Sequence, residues 1–188
     1  MDIAAKIEYL QKNLRKPVIL VGLMGTGKSQ AGQRLAQELH FEFYDSDRLV
    51  EGRAGRSIRQ IFETEGESKF RALEREVMLE LLNRGPCVIA TGGGAVTNYE
   101  ILSAIKEKSI SVWLKADINE ILERLKHDRD RPLLKSGDPA AALTTLLKQR
   151  EALYNQADLS IESLPNSLEQ AAPALIKSLY AYLNPDNV

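Results

Sequence analysis

The segment Gly22-Leu-Met-Gly-Thr-Gly-Lys-Ser29 constrains the fold more than any other stretch of the chain. An apolar, β-branched run, Val18 to Leu23, leads into it after Pro17. Beyond it, Ala31, Leu35, Ala36 and Leu39 recur at helical spacing over Lys28–Leu39. A fully buried strand, a glycine-rich turn and an amphipathic helix, in that order, make the first unit of an α/β fold. The turn matches the pattern G-x-x-x-x-G-K-[ST], the Walker A motif. Its glycines allow successive backbone N–H groups to converge on phosphate oxygens, and the helix N-terminus adds its positive end. Gly25, Thr26, Gly27, Lys28, Ser29 and the following Gln30 are therefore the candidate nucleotide-binding residues. Lys28 can reach the β and γ phosphates, and the Ser29 hydroxyl suits Mg²⁺. The alternative, a structural glycine turn, explains the strand and helix but not the Lys-Ser pair.

The remaining pattern continues the alternation. Strands are expected at 41–44, 87–90, 110–114 and 159–161. Helices are expected from Ser57, where Ser57-Ile-Arg-Gln60 forms a capping box, and over about 68–82, 99–106, 118–125 and 140–154. A closing helix begins near Ser167-Leu-Glu-Gln170, and Pro173 argues against its being straight. Short crossovers of this kind imply a mainly parallel sheet covered on both faces. Ligands on such sheets bind beyond the carboxyl ends of the strands. That rule places Gly22–Ser29, Asp45–Asp47 and Gly92–Gly94 on one rim.

With 188 residues the chain is long enough for one domain with a substantial core. A formal net charge of −1 gives no electrostatic case for nucleic acid. No apolar run approaches the ~20 residues needed to span a bilayer. The single cysteine, Cys87, lies in an apolar run and reads as core filling, which fits a reducing cytoplasm. Residues 1–16 read as a short amphipathic helical extension ahead of a single domain at 17–188, either packed on the domain or loose, with a membrane or partner anchor as the competing reading.

A Walker A turn does not distinguish kinases from switches or ATPases. The chain has no Asn-Lys-x-Asp base-reading motif, and Val88–Thr91 lacks the strand-end aspartate of a usual Walker B. Asp45 is the nearest source of a second magnesium carboxylate, acting through a water. Asp45 and Asp47 alternate along what reads as an extended segment and so share a face. Asp47 then suits an acceptor hydroxyl and its proton. Helix capping is the competing explanation for both aspartates. Arg71 lies among Glu67, Glu74 and Arg75, and Arg150 follows Lys148, so a solvated charged face is the ordinary reading of each.

In combination these blocks resemble the shikimate kinases. The Walker A turn, Asp45-x-Asp47, Phe70-Arg71, Gly92-Gly-Gly94, Arg131-Pro-Leu-Leu134, and Arg150 followed by Leu153-Tyr154 occur in the family's order. The resemblance implies ATP-dependent phosphorylation of the shikimate 3-hydroxyl, on the route to chorismate and the aromatic amino acids. It implies a nucleoside-monophosphate-kinase-like fold: a five-stranded parallel sheet flanked by helices, an acceptor-binding segment at about 45–75 and a mobile lid at about 127–138. Asp47 would hold the acceptor hydroxyls; Arg71 and Arg150 would hold its carboxylate; Gly92, Gly93 and Gly94 would offer backbone N–H groups. Arg131 would reach the ATP phosphates from the lid, and Arg124 would lie against the adenine. A cytoplasmic monomer acting on ATP and shikimate is expected. The family usually has threonine where this chain has Gln30, and Ser163–Ser167 lacks the basic residue often found near the adenine. A gluconate-kinase-like enzyme and a nucleotide switch without acceptor chemistry are the competing readings.

Overall fold

A computed structural model of the chain describes residues 2–126, 138–162 and 168–185. The expected lid with Arg131, the loop 163–167 and the capping box at Ser167 lie outside the described residues, except for Asp138. Asp138 caps the N-terminus of a helix by accepting from the Ala140 N–H.

The chain runs α1 (Ile3–Asn13), β1 (Val18–Val21), α2 (Lys28–Leu39), β2 (Glu42–Asp45), α3 (Ser46–Ala54), α4 (Ile58–Leu81), β3 (Cys87–Ala90), α5 (Tyr99–Lys108), β4 (Ile110–Lys115), α6 (Ile118–Leu125), α7 (Pro139–Tyr154), β5 (Leu159–Glu162) and α8 (Leu168–Leu183). The five strands pair in parallel in the order β2-β3-β1-β4-β5, with Val18 opposite both Val88 and Ile110. Because β1 is central, its successor β2 lies to one side beyond β3 while β4 and β5 lie to the other. The strand order therefore reverses at β1, and a crevice opens between the carboxyl ends of β1 and β3.

Alternation along β1 builds two cores. Ile19 and Val21 face a cluster with Ile89, Trp113, Val77, Met78 and Tyr154. Val18 and Leu20 face a second cluster with Leu35, Val112, Leu175 and Leu179. Helix α1 belongs to this second cluster, where Leu10 and Leu14 are fully buried, so the N-terminal helix is packed on the domain.

Two features differ from the sequence pattern. Helix α3 was not expected. It forms because Asp45 ends β2 and at once caps the next turn, its Oδ1 accepting from the N–H groups of Asp47 (3.1 Å) and Arg48 (3.3 Å). The segment Asp45–Asp47 is therefore not extended, and its two carboxylates do not share a strand face. Helix α4 joins the two expected helices through a single break at Gly66, whose φ of 81° is outside the helical region. The capping box at Ser57 and Gln60 is formed as expected.

Candidate active site

The turn after β1 is held by its own backbone. Gly22 has φ 140°, and a Cβ there would lie 2.5 Å from the Leu114 carbonyl oxygen, so only glycine fits against β4. The buried Lys28 ammonium donates to the carbonyls of Gly22 (2.9 Å) and Leu23 (2.6 Å) across the mouth of the turn. Thr26 is also buried, its hydroxyl donating to the Leu23 carbonyl at 2.9 Å. Ser29 and Gln30 stand exposed at the start of α2. From α6, Arg124 donates to the Gly25 carbonyl at 3.3 Å and lies 3.7 Å from Glu120. Arg124 thus borders the phosphate turn.

The Ser29 hydroxyl donates to Asp45 Oδ2 at 2.5 Å, while Asp45 Oδ1 caps α3. The two explanations for Asp45, capping and metal chemistry, are compatible because each uses a different oxygen. No cluster of three or more carboxylate, histidine or cysteine ligands occurs among the described residues. The Ser29–Asp45 pair nevertheless fits Mg²⁺, which takes few protein oxygens and keeps waters and phosphate oxygens for the rest of its shell.

The acceptor side is built around Gly92–Gly94, the turn that follows β3. Its entry is tied to β1, with the Thr91 N–H and hydroxyl both donating to the Leu20 carbonyl at 3.1 Å. The buried Ser46 Oγ accepts from the Gly92 N–H at 3.0 Å, which brings the first turn of α3 against β3. Asp47, one residue on, has its Oδ1 only 2.6 Å from where a Gly92 Cβ would sit. The Arg71 guanidinium occupies the corresponding space at Gly94, 2.8 Å from a Cβ there. A Gly93 Cβ would lie 3.2 Å from the Met24 backbone nitrogen, so this turn and the phosphate turn approach backbone to backbone. Arg150 on α7 donates to the Gly93 carbonyl at 3.2 Å. Asp47, Arg71 and Arg150, from three different helices, thus converge on one glycine turn beside the phosphate loop.

Arg71 stands at the edge of the solvated face, its side chain 30% exposed. It pairs with Glu74 at 2.7 Å and with Glu67 at 3.2 Å, and Glu74 is only 1% exposed. Burial raises the Glu74 carboxyl above its ordinary value, while Arg71 and then Arg150 oppose the rise. For Arg71 burial works against the charge, yet Glu74 and Glu67 together hold its pKa above the ordinary value. Sequence reasoning missed Ser46 and Glu74 as parts of this site, and gave Tyr154 no role beyond its place in the family pattern. The available signals were helical spacings: Glu74 is three residues after Arg71, and Tyr154 four after Arg150. Cys87 is buried in β3 with its thiol pushed up to about 11 by desolvation, as expected of core filling.

A surface cavity of about 280 Å³ between α3 and α4, lined by Tyr44, Leu49, Val77 and Arg84 among others, shares no residue with this site. Its arginines, Arg53 and Arg84, pair with Glu80, which also lines it.

Comparison with known proteins agrees with the geometry. The family model for shikimate kinase matches residues 24–180. A shikimate kinase of Nitrobacter winogradskyi is 48% identical over 148 residues, covering 79% of this chain and 69% of the relative. One from Bartonella henselae is 41% identical over 179 residues, covering 95% of this chain and 85% of the relative. Among solved structures, the shikimate kinase from Acinetobacter baumannii in complex with shikimate superposes with a TM-score of 0.85 at 36% identity, covering 97% of this chain and 99% of that one. A gluconokinase from Sinorhizobium meliloti, at 16% identity and a TM-score of 0.56, shares the fold alone. No helix among the described residues is long and apolar enough to cross a membrane. The chain belongs to the shikimate kinase family.

Proposed function

We infer that the protein transfers the γ-phosphoryl group of ATP to the 3-hydroxyl of shikimate, giving shikimate 3-phosphate and ADP. The observation that carries this reading is the convergence of Asp47, Arg71 and Arg150 on Gly92–Gly94, next to the phosphate turn. Two guanidinium groups flanking one turn suit a carboxylate, and a carboxylate nearby suits hydroxyls.

The nucleotide phosphates lie in the turn Gly22–Ser29, against the N-terminus of α2. Lys28 exchanges its bonds to the Gly22 and Leu23 carbonyls for bonds to phosphate oxygens. Arg71 and Arg150 hold the acceptor carboxylate, with Glu74 fixing Arg71 from behind through its 2.7 Å ion pair. Asp47 accepts a hydrogen bond from the acceptor hydroxyl and takes its proton as that oxygen bonds to the γ-phosphorus. The bond from the γ-phosphorus to the bridging oxygen breaks, and ADP leaves with that oxygen. Ser29 and Asp45 would hold Mg²⁺, which supplies charge neutralisation at the phosphates when bound. Arg124 and Gln30 border the nucleotide, and on the strength of the family resemblance Arg131 contacts its phosphates.

The test is a steady-state comparison of wild type, Asp47→Asn and Arg71→Ala with ATP and shikimate each varied. Asp47→Asn keeps ATP affinity and lowers kcat by about 10²- to 10⁴-fold, the usual cost of losing a general base. Arg71→Ala acts mainly on the KM for shikimate. Wild-type parameters in both variants would remove these residues from the acceptor site.

A further inference from the structure

The Gly93 carbonyl has two donors. Arg150 approaches at 3.2 Å, and the Tyr154 hydroxyl at the shorter distance of 2.5 Å. Both side chains come from one face of α7, a helical turn apart. If Arg150 turns its guanidinium fork onto the acceptor carboxylate, the bond to Gly93, at 3.2 Å the longer of the two, is the one given up, and a polar group beside the acceptor loses a partner on binding. A half-buried carbonyl left without a donor is costly, so the second donor matters most in the occupied state.

We propose that Tyr154 is a positioning residue that holds the Gly93 carbonyl while the acceptor draws Arg150 away from it. The proposal rests on the reading of Arg150 as an acceptor-carboxylate ligand. Three further observations support it. Tyr154 is 1% exposed, and its ring stacks on Trp113 with centroids 5.8 Å apart, so the hydroxyl is aimed by packing on β4 rather than by solvent. Burial raises the phenol above its ordinary value, with Arg150 opposing, so it remains a donor at neutral pH. The peptide unit it fixes also carries the Gly94 N–H, and Gly94 is the residue against which the Arg71 guanidinium rests. A Cβ at Gly93 would lie 3.2 Å from the Met24 backbone nitrogen, so the same stretch of backbone also adjoins the phosphate turn.

The experiment is a double-mutant cycle on Tyr154→Phe and Arg150→Ala, reading shikimate KM, kcat and the ATP dissociation constant without acceptor. Phenylalanine keeps the ring that packs on Trp113 and removes only the hydroxyl. In the acceptor-free protein Arg150 still serves Gly93, so ATP affinity is unchanged in Tyr154→Phe. The shikimate KM rises by about 2- to 12-fold, the range that loss of one hydrogen bond produces. In the Arg150→Ala background no handover occurs, because Tyr154 serves Gly93 equally with and without acceptor. There Tyr154→Phe leaves the shikimate KM of its parent nearly unchanged. An unchanged KM in the single variant overturns the proposal. So does a KM effect that persists in the Arg150→Ala background, or one matched by an equal loss of ATP affinity, since each marks a purely structural role. If Arg150→Ala itself leaves the shikimate KM at the wild-type value, the underlying assignment of Arg150 fails instead.

Discussion

Gly92→Ala tests the acceptor geometry without removing any functional group. Gly92 does not adopt a positive φ, so alanine imposes no backbone strain there. The new Cβ would meet Asp47 Oδ1 at 2.6 Å, and ordinary contact begins at 3.4 Å, so the carboxylate must retreat by about 0.8 Å. Glu74 Oε1, at 3.1 Å, must yield a few tenths of an ångström as well. A displacement near 1 Å at a reacting group costs on the order of 10²-fold, so kcat falls by about 10- to 100-fold. ATP affinity measured without acceptor is unchanged, because the methyl group points at Asp47 and not at the phosphate turn. Steady-state kinetics with shikimate varied give the first number, and calorimetric titration with nucleotide gives the second. Combining the substitution with Asp47→Asn sharpens the test. Where the base is already lost, displacing it adds little, so the two effects are strongly non-additive. Wild-type kcat in a folded Gly92→Ala protein would refute the reasoning, as would a full additional loss in the Asp47→Asn background.

Lys28→Met abolishes transfer because the phosphates lose the ammonium, while circular dichroism shows the fold retained, since methionine keeps the buried apolar stem and gives up only the bonds to the Gly22 and Leu23 carbonyls. Glu74→Gln separates stability from function. The folded-state pKa of Glu74 is raised above 4.5, so the stability it contributes is fully present below that value and is lost as pH rises through the raised pKa. Glutamine does not titrate, so urea denaturation finds the variant gaining on wild type as pH rises above 4.5 and through the raised pKa of Glu74. Its shikimate KM meanwhile rises, because Arg71 loses a buried charged partner. Leu10→Ala removes a fully buried side chain and lowers unfolding free energy by about 2–5 kcal/mol with unchanged KM values, measured by urea denaturation.

Several parts of this fold and site were legible in the sequence for definite physical reasons. The phosphate turn is specified locally, by glycines that alone permit its backbone and by the Lys-Ser pair that follows. The parallel order of strands follows from the alternation of apolar runs and amphipathic helices. Other parts depend on contacts that one-dimensional patterns do not carry. Helix α3 has little apolar periodicity, and it exists because Asp45 caps it and Val50 and Ser46 are buried against neighbours. Reading Asp45–Asp47 as extended therefore put the two carboxylates on one face, whereas the structure sends one oxygen of Asp45 to Ser29 and Asp47 to Gly92. Glu74 looked like one more charge on a solvated helix. It lies against the glycine turn at Gly92, which is distant in sequence. Tyr154 matches the apolar period of α7 equally well as a core ring, and only the fold shows its hydroxyl reaching Gly93.

The most direct measurement is ADP release by the wild-type protein supplied with ATP and Mg²⁺, alone, with shikimate, and with gluconate. The account predicts slow release with ATP alone, strong acceleration by shikimate with stoichiometric formation of shikimate 3-phosphate, and little response to gluconate. Release that is indifferent to shikimate, or faster with gluconate, would contradict it.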